Sequence, residues 1–153
     1  MTIRIRDAEP ADAAIIAEFN RLLAAESEDI TLDPETVAAG VAALLADPSL
    51  GRYWLAELDG EVVGQIMTTR EWSDWRNGML WWIQSVYVRP ELRGRGIFSA
   101  LYRHVERLAR ETPGIGGLRL YVDDRNDRAR RIYQAMGMED GGYRVMEDIF
   151  EHH

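Results

Sequence analysis

The chain predicts a mixed α/β domain, in which a mostly antiparallel sheet is covered by helices on both faces. Three observations lead there. Apolar residues repeat every second position in some stretches and every third or fourth in others, without the regular strand–helix alternation of parallel units. Asp59-Gly60 joins two strand-like runs in the manner of a type I′ hairpin. The 153 residues, 46% hydrophobic and 29% charged, suit one domain with a sizeable core.

Ile3 and Ile5 alternate with arginines, which predicts a first strand ending at Asp7. Pro10 and Asp12 open a helix with Ala13, Ile16, Ala17, Phe19, Leu22 and Leu23 near one apolar face. A polar, acidic stretch from Ser27 to Asp33 precedes a second helix, Pro34 to Ala46, closed by Asp47-Pro48. Arg52 to Leu58 and Glu61 to Thr69 form the hairpin, and Gly64 marks a candidate bulge. After the turn chemistry of Asn77-Gly78 comes a central strand, Met79 to Val88. Ile97, Leu101, Val105 and Leu108 share the face of a third helix, stopped at Thr112-Pro113-Gly114. Leu118 to Val122 is a further strand, and Asp123 to Asn126 cap a last helix that halts at Gly137. Gly142 to Ile149 reads as a final strand.

Residues 1–150 are expected to form one domain, with 151–153 a tail whose histidines resemble the start of a purification tag and receive no role. The absence of cysteine excludes disulfides, a thiol nucleophile and thiolate metal sites, and no metal is expected. No long uncharged apolar run points to a membrane, and the N-terminus lacks the pattern of a signal peptide, so a cytoplasmic protein is expected. A net charge of −8 argues against nucleic-acid binding and favours a cationic small molecule. Every basic side chain is arginine, and Arg89, Arg93, Arg95 and Arg103 lie close together in sequence. A GC-rich genome accounts for the lack of lysine more simply than function does.

Between the central strand and the third helix runs Arg93-Gly94-Arg95-Gly96-Ile97-Phe98. The glycines let backbone approach a ligand, and the N–H groups of the first helical turn favour negative charge, which together suit a phosphate. A P-loop needs a Gly-Lys-Ser/Thr ending, and the chain has no lysine. A Rossmann fingerprint needs glycine where Ser99 stands. The loop resembles instead the acyl-CoA pyrophosphate loop of the GNAT superfamily of N-acetyltransferases, Gln/Arg-x-x-Gly-x-Gly/Ala, with Phe98 in place of the small residue. A phenylalanine there must turn away from the phosphates, into the core or toward the pantetheine arm. Asn126, Ala129, Tyr133 and Gly137 resemble the second signature of that superfamily, Asn-x-x-Ala-x-x-x-Tyr-x-x-x-Gly-Phe, with Met138 replacing the aromatic.

The resemblance covers nearly the whole chain and implies a sheet splayed at the central strand, with acetyl transfer from acetyl-CoA to an amine in a ternary complex. It implies that Arg93, Gly94, Arg95, Gly96 and the amides of Ile97 and Phe98 hold the pyrophosphate. The backbone of Val86 and Val88 pairs with the pantetheine as an added strand, and Asn126 bonds to the pantetheine or to nearby backbone. Tyr133 donates a proton to the departing thiolate; its phenol, with an ordinary pKa near ~10, is protonated at neutral pH. In isolation Tyr133 would read as an amphipathic core residue.

An alkyl ammonium must shed a proton before it can attack, at roughly 4–5 kcal/mol at neutral pH. Relatives use a glutamate on the central strand, where this chain has Gln84 and then Ser85. Gln84 is expected to position a water or the acceptor while Glu71 or Asp74 takes the proton. Trp72 and Trp75 are candidates for reading a cation by their indole faces; core filling or a dimer contact are the alternatives, and at least one of Trp81 and Trp82 belongs to the core. Glu26, Glu28 and Asp29 are acids near an expected acceptor loop, with a solvated loop as the plainer reading. The competing functions are a catalytically weak acyl-CoA-binding sensor, suggested by Gln84 and Phe98, and a protein N-acetyltransferase. A homodimer is common in the family.

Overall fold

A computed structural model describes residues 2–151 of the chain; His152 and His153 of the tail lie outside the described residues. Its contacts cluster into two units, Met1–Leu120 and Tyr121–His153.

The first unit holds a five-stranded sheet and three α-helices. The strands β1 (Ile3–Asp7), β2 (Arg52–Leu58), β3 (Glu61–Ser73), β4 (Gly78–Val88) and β5 (Ile115–Leu120) lie side by side in chain order. The first three pairings are antiparallel, and β4 with β5 is parallel. The class predicted from the sequence is therefore the one observed. Helices α1 (Ala13–Glu28) and α2 (Pro34–Ala46) precede β2, and α3 (Ile97–Glu111) is the crossover from β4 to β5.

Alternation along β2 divides the core. Tyr53 and Leu55 are buried with Ile16, Ala17 and Val41 of the first two helices. Trp54, between them, turns the other way, its ring 6.1 Å from that of Trp81 and 6.3 Å from His104 on α3. Helices thus cover both faces. Burial of Ile97, Leu101, Tyr102, Val105 and Ala109 fixes the inward stripe of α3.

Local chemistry sets the boundaries. The Asp33 carboxylate accepts the Thr36 N–H at 3.0 Å and Pro34 occupies the first turn, so α2 begins as expected. Asp59 and Gly60 both take positive φ and close the β2–β3 hairpin. Beside Gly64 the β2–β3 register shifts, pairing Ala56 with Gly64 and then Glu57 with Val62; this is the expected bulge. A Cβ at Gly64 would stand 3.0 Å from the Tyr87 carbonyl oxygen, so the close approach of β4 requires glycine there.

The second unit contains α4 (Asp127–Ala135), capped by Asn126. The final strand expected at Gly142 to Ile149 is not formed. A strand needs a neighbour for its N–H and C=O groups, and among the described residues this segment has no ladder partner. Its Tyr143, Val145, Met146 and Ile149 stay exposed.

Candidate active site

Pro90 ends the sheet pairing of β4, and one 3-10 turn, Pro90–Leu92, leads into the glycine loop. Gly94 and Gly96 adopt φ of +81° and +87°, a region costly for residues with a Cβ, and Gly96 is the N-cap of α3. Arg93 anchors one side of the loop. Its Nε donates to the Val88 carbonyl at 2.9 Å, its Nη2 donates to Glu26 Oε2 on α1 at 2.7 Å, and its guanidinium lies 5.4 Å from the centre of the Tyr87 ring. Ile97, fully buried, anchors the other side. Gly94, Arg95 and Gly96 remain exposed at the positive end of α3. The ring of Phe98 lies 6.2 Å from that of Tyr102, one turn along the same helix.

The loop continues from an open sheet edge. Pairing of β4 with β5 covers Met79 to Ile83 and stops, so from Gln84 onward that edge of β4 has no β5 partner. This is the splay the sequence resemblance implies. On its other side β4 carries a bulge: Met67 pairs with Gln84 and Gln65 with Tyr87, leaving two residues, Ser85 and Val86, opposite Ile66 alone. Ser85 takes φ of +51°, unusual for a residue with a side chain. The bulge moves the alternation by one residue. Tyr87 thereby faces α1, its ring 5.0 Å from Phe19. The Arg89 N–H donates to the Val63 carbonyl at 2.9 Å. Val88 is therefore in a non-hydrogen-bonded pair with Gly64, and its own N–H and C=O point away from β3; by alternation Val86 does the same.

Behind the bulge is a buried polar ring. Gln65, 0% exposed, donates from Nε2 to the Ser85 carbonyl at 2.9 Å and to Asn20 Oδ1 at 2.8 Å. Asn20 Nδ2 in turn donates to the Tyr53 hydroxyl at 3.0 Å. Burial raises the proton affinity of the Tyr53 phenol, while its bonds to Asn20 and to the Ser85 side chain oppose that shift.

Further along the sheet, Glu71 of β3 accepts from Trp82 Nε1 of β4 at 2.7 Å and from Arg119 Nη1 of β5 at 3.1 Å. The Trp82 bond first, with Arg119 adding to it, holds the Glu71 carboxyl below the usual range, which makes it a weak base and a persistent negative charge. Gln84 Nε2 donates to the Thr69 hydroxyl at 2.6 Å. Met67, the partner of Gln84, is four positions from Glu71 along β3, roughly 13 Å at strand rise. Asp74 and Trp75 sit still farther along, in the β3–β4 turn, where the Asp74 carboxylate accepts the Trp75 N–H at 3.0 Å. Trp75 is 91% exposed and Trp72 is also exposed. The Gln84 side chain nevertheless reaches Thr69, two positions from Glu71 on the same face of β3, and an acceptor touching both Gln84 and Trp75 is on the order of 20 Å long.

Glu28 is exposed in the last turn of α1 and Asp29 is the left-handed residue that ends it. Trp81 is buried, as core filling requires. In the second unit, Asn126 Oδ1 accepts the Ala129 N–H at 3.0 Å, so its side-chain oxygen caps α4. Tyr133 lies on that helix, half-buried. Among the described residues no group of three or more His, Cys, Asp or Glu is placed to hold a metal ion, and no helix is long and apolar enough to cross a membrane.

Sequence reasoning missed Asn20, Tyr53, Gln65 and Ser85 as a connected set. The available signal was a lone glutamine inside the apolar run Val62 to Met67, beside Gly64.

Residues 16–138 match the model of the Acetyltransferase (GNAT) family. A thialysine N-epsilon-acetyltransferase of Bos taurus is 37% identical over 79 residues, 52% of this chain and 45% of that protein. An uncharacterized N-acetyltransferase of Methanocaldococcus jannaschii is 38% identical over 88 residues, 58% of this chain and 53% of its own length. The chain thus spans about half the length of the curated relatives it matches. The crystal structure of a possible acetyltransferase from Clostridium difficile 630 superposes with a TM-score of 0.92 at 41% identity, covering 99% of this chain and 100% of that one. A structure from Clostridium acetobutylicum, solved with acetyl-CoA, shares the fold at a TM-score of 0.80 and 21% identity, over 99% of each chain.

Proposed function

The chain belongs to the acetyltransferase (GNAT) family, and from that premise we propose that it transfers the acetyl group of acetyl-CoA to a primary amine of a small cationic or amino-acid-like acceptor, by direct attack in a ternary complex. The observation that carries the reading is the continuity of the unpaired β4 edge after Ile83 with the exposed Gly94–Gly96 turn at the start of α3. An extended amide-bearing arm can pair with Val86 and Val88 while its diphosphate meets Gly94, Arg95, Gly96 and the first turn of α3. A relative named for the ε-nitrogen of thialysine supports an amino-acid-like acceptor.

The amine nitrogen attacks the thioester carbonyl, its lone pair forming the C–N bond, and the C–S bond breaks in collapse of the tetrahedral adduct. Tyr133 gives its phenolic proton to the thiolate sulfur, and the second proton of the nitrogen, released as the amide forms, returns the phenolate to the phenol through solvent. The ammonium proton leaves to water ordered by Gln84, since Glu71 is held as a weak base by Trp82 and Arg119 and Asp74 lies at the far turn. Glu71, ionised, contributes negative potential to the face on which a cation would sit. That same engagement of Glu71, with Gln84 bound to Thr69, favours the second reading, an acyl-CoA sensor without turnover.

Thiol release from acetyl-CoA, measured over polyamines, amino acids, aminoglycosides and short peptides, separates the two. Turnover on one acceptor class, reduced at least about tenfold by Tyr133→Phe with acetyl-CoA affinity unchanged, is the expected result. Tight binding without acceptor-dependent release establishes the sensor, and failure to bind any CoA ester overturns both readings.

A further inference from the structure

We infer that Gln65 is a positioning residue for the acyl-CoA arm: from the buried face of the sheet it clamps the β4 bulge at Ser85 and so sets the open edge at Val86 and Val88. The inference rests on the acyl-CoA reading above. Three features of the molecule support it.

The first is the cost of placing a glutamine there. Gln65 is fully buried, and its Oε1 finds no hydrogen-bond partner among the described residues. A buried acceptor without a partner destabilises the fold, and a methionine of similar shape would avoid that. What the glutamine adds is Nε2, and both bonds of Nε2 are directed at the bulge network, to the Ser85 carbonyl and Asn20.

The second is the backbone it holds. Ser85 at φ of +51° occupies a region that an L-residue populates only when its surroundings impose it. Gln65 does so through the Ser85 carbonyl. Asn20 of α1 ties Gln65 in turn to Tyr53. The bulge is thus referenced to α1 as well as to β3.

The third is the consequence of the extra residue. Upstream of it Met67 pairs with Gln84; downstream Gln65 pairs with Tyr87. Remove the bulge and every following side chain of β4 changes face. Tyr87 would leave Phe19, and Val88 would turn its N–H and C=O into the sheet and away from the edge. Gln65 touches neither reacting atoms nor cofactor, so its effect is on where the pantetheine amides find partners.

The test uses the full chain as wild type, Gln65→Met, Ser85→Gly and the double variant, with two readouts. Denaturant unfolding without ligand tests the clamp: glycine accepts the left-handed conformation unaided, so the stability change caused by Gln65→Met is expected to be more favourable in the Ser85→Gly background than in the wild type. Additive effects overturn the clamp whatever the protein binds. Calorimetric titration with acetyl-CoA tests positioning: Gln65→Met is expected to weaken binding about fivefold to tenfold, and Ser85→Gly to restore the double variant to within about threefold of wild type. Non-additive stability with unchanged acetyl-CoA affinity overturns the positioning role. A wild type that binds no acetyl-CoA, with the clamp intact by unfolding, overturns the acyl-CoA reading and with it the positioning role, and the unfolding cycle tells the two failures apart.

Discussion

Arg93 is held by the Val88 carbonyl, the Glu26 carboxylate and the face of Tyr87. Two of these contacts bear directly on an incoming acyl-CoA. The Val88 oxygen is one of the edge acceptors proposed for the pantetheine, and the Glu26 charge sits beside a loop proposed to receive phosphates. To the sequence alternatives for Glu26, an acid facing the amine and a solvated loop residue, the structure adds a third: it is the counter-ion of the loop arginine. Removing that charge while keeping the shape, Glu26→Gln, is expected to tighten acetyl-CoA binding about twofold to fivefold at low ionic strength, with the gain shrinking as salt is added. Titration calorimetry at two salt concentrations checks this, and equal or weaker binding at low salt contradicts it. Loss of a merely structural ion pair would move the affinity the other way.

At the scale of the element, β1 and the turn after it are joined to β2 by charge. Arg6 donates to both oxygens of Asp12 and to Glu57 of β2, and the Arg6 bonds above all hold the Asp12 carboxyl below its ordinary value. A group whose folded pKa is depressed contributes stability that is fully present above its unfolded pKa, near ~3.9, and is lost as pH falls through the folded value. Asp12→Asn is therefore expected to lower stability at neutral pH by about 1–2 kcal/mol and to flatten the decline on acidification below about pH 4. Denaturant melts at pH 7 and at pH 3 measure both effects. Which elements the sequence foretold follows the same local logic. The Pro34 start of α2, the Asp59-Gly60 turn and the apolar stripe of α3 depend on residues within a few positions, and each is where the sequence places it. α1 runs beyond Leu23 to Glu28, where the Ser27 hydroxyl donates back to the Leu23 carbonyl and Asp29 supplies the left-handed end, so polarity alone was a poor marker of its terminus. Nothing in Ser85 itself announces a bulge, because the partners that impose it come from residues 20, 53 and 65. The turn of the glycine–arginine loop was legible for the opposite reason: its conformation is written in its own residues, Gly94 and Gly96.

For the molecule as a whole, the segment after α4 is the largest departure from expectation. Tyr143, Val145, Met146, Ile149 and Phe150 are exposed, the last 90% so, within eight consecutive residues. A soluble chain seldom leaves so much apolar surface in water, and an unpaired strand-forming sequence is a template for pairing with another chain. Concentration-dependent association is expected in sedimentation, and Val145→Lys with Ile149→Lys is expected to shift the protein toward the monomer. A wild type that stays monomeric at every concentration contradicts this. The acidic balance of the chain, −8, adds a repulsion that high salt relieves, so association should strengthen with ionic strength.

The sheet has strands in the order β1-β2-β3-β4-β5, identical to their order along the chain. That identity has a consequence for a chain still being synthesised. Each strand after the first can dock on one already made, with no gap held open for a later arrival, so the sheet is able to grow from one side as the ribosome delivers it. Four strands, with the helices that cover one face, are in hand once residue 88 has emerged. At roughly 5–20 residues per second, α3 and everything after it follow within several seconds. The Gly94–Gly96 loop is therefore the seam between four early-assembled strands and the later α3, and the proposed acyl-CoA site waits for residues made after the first four strands have emerged.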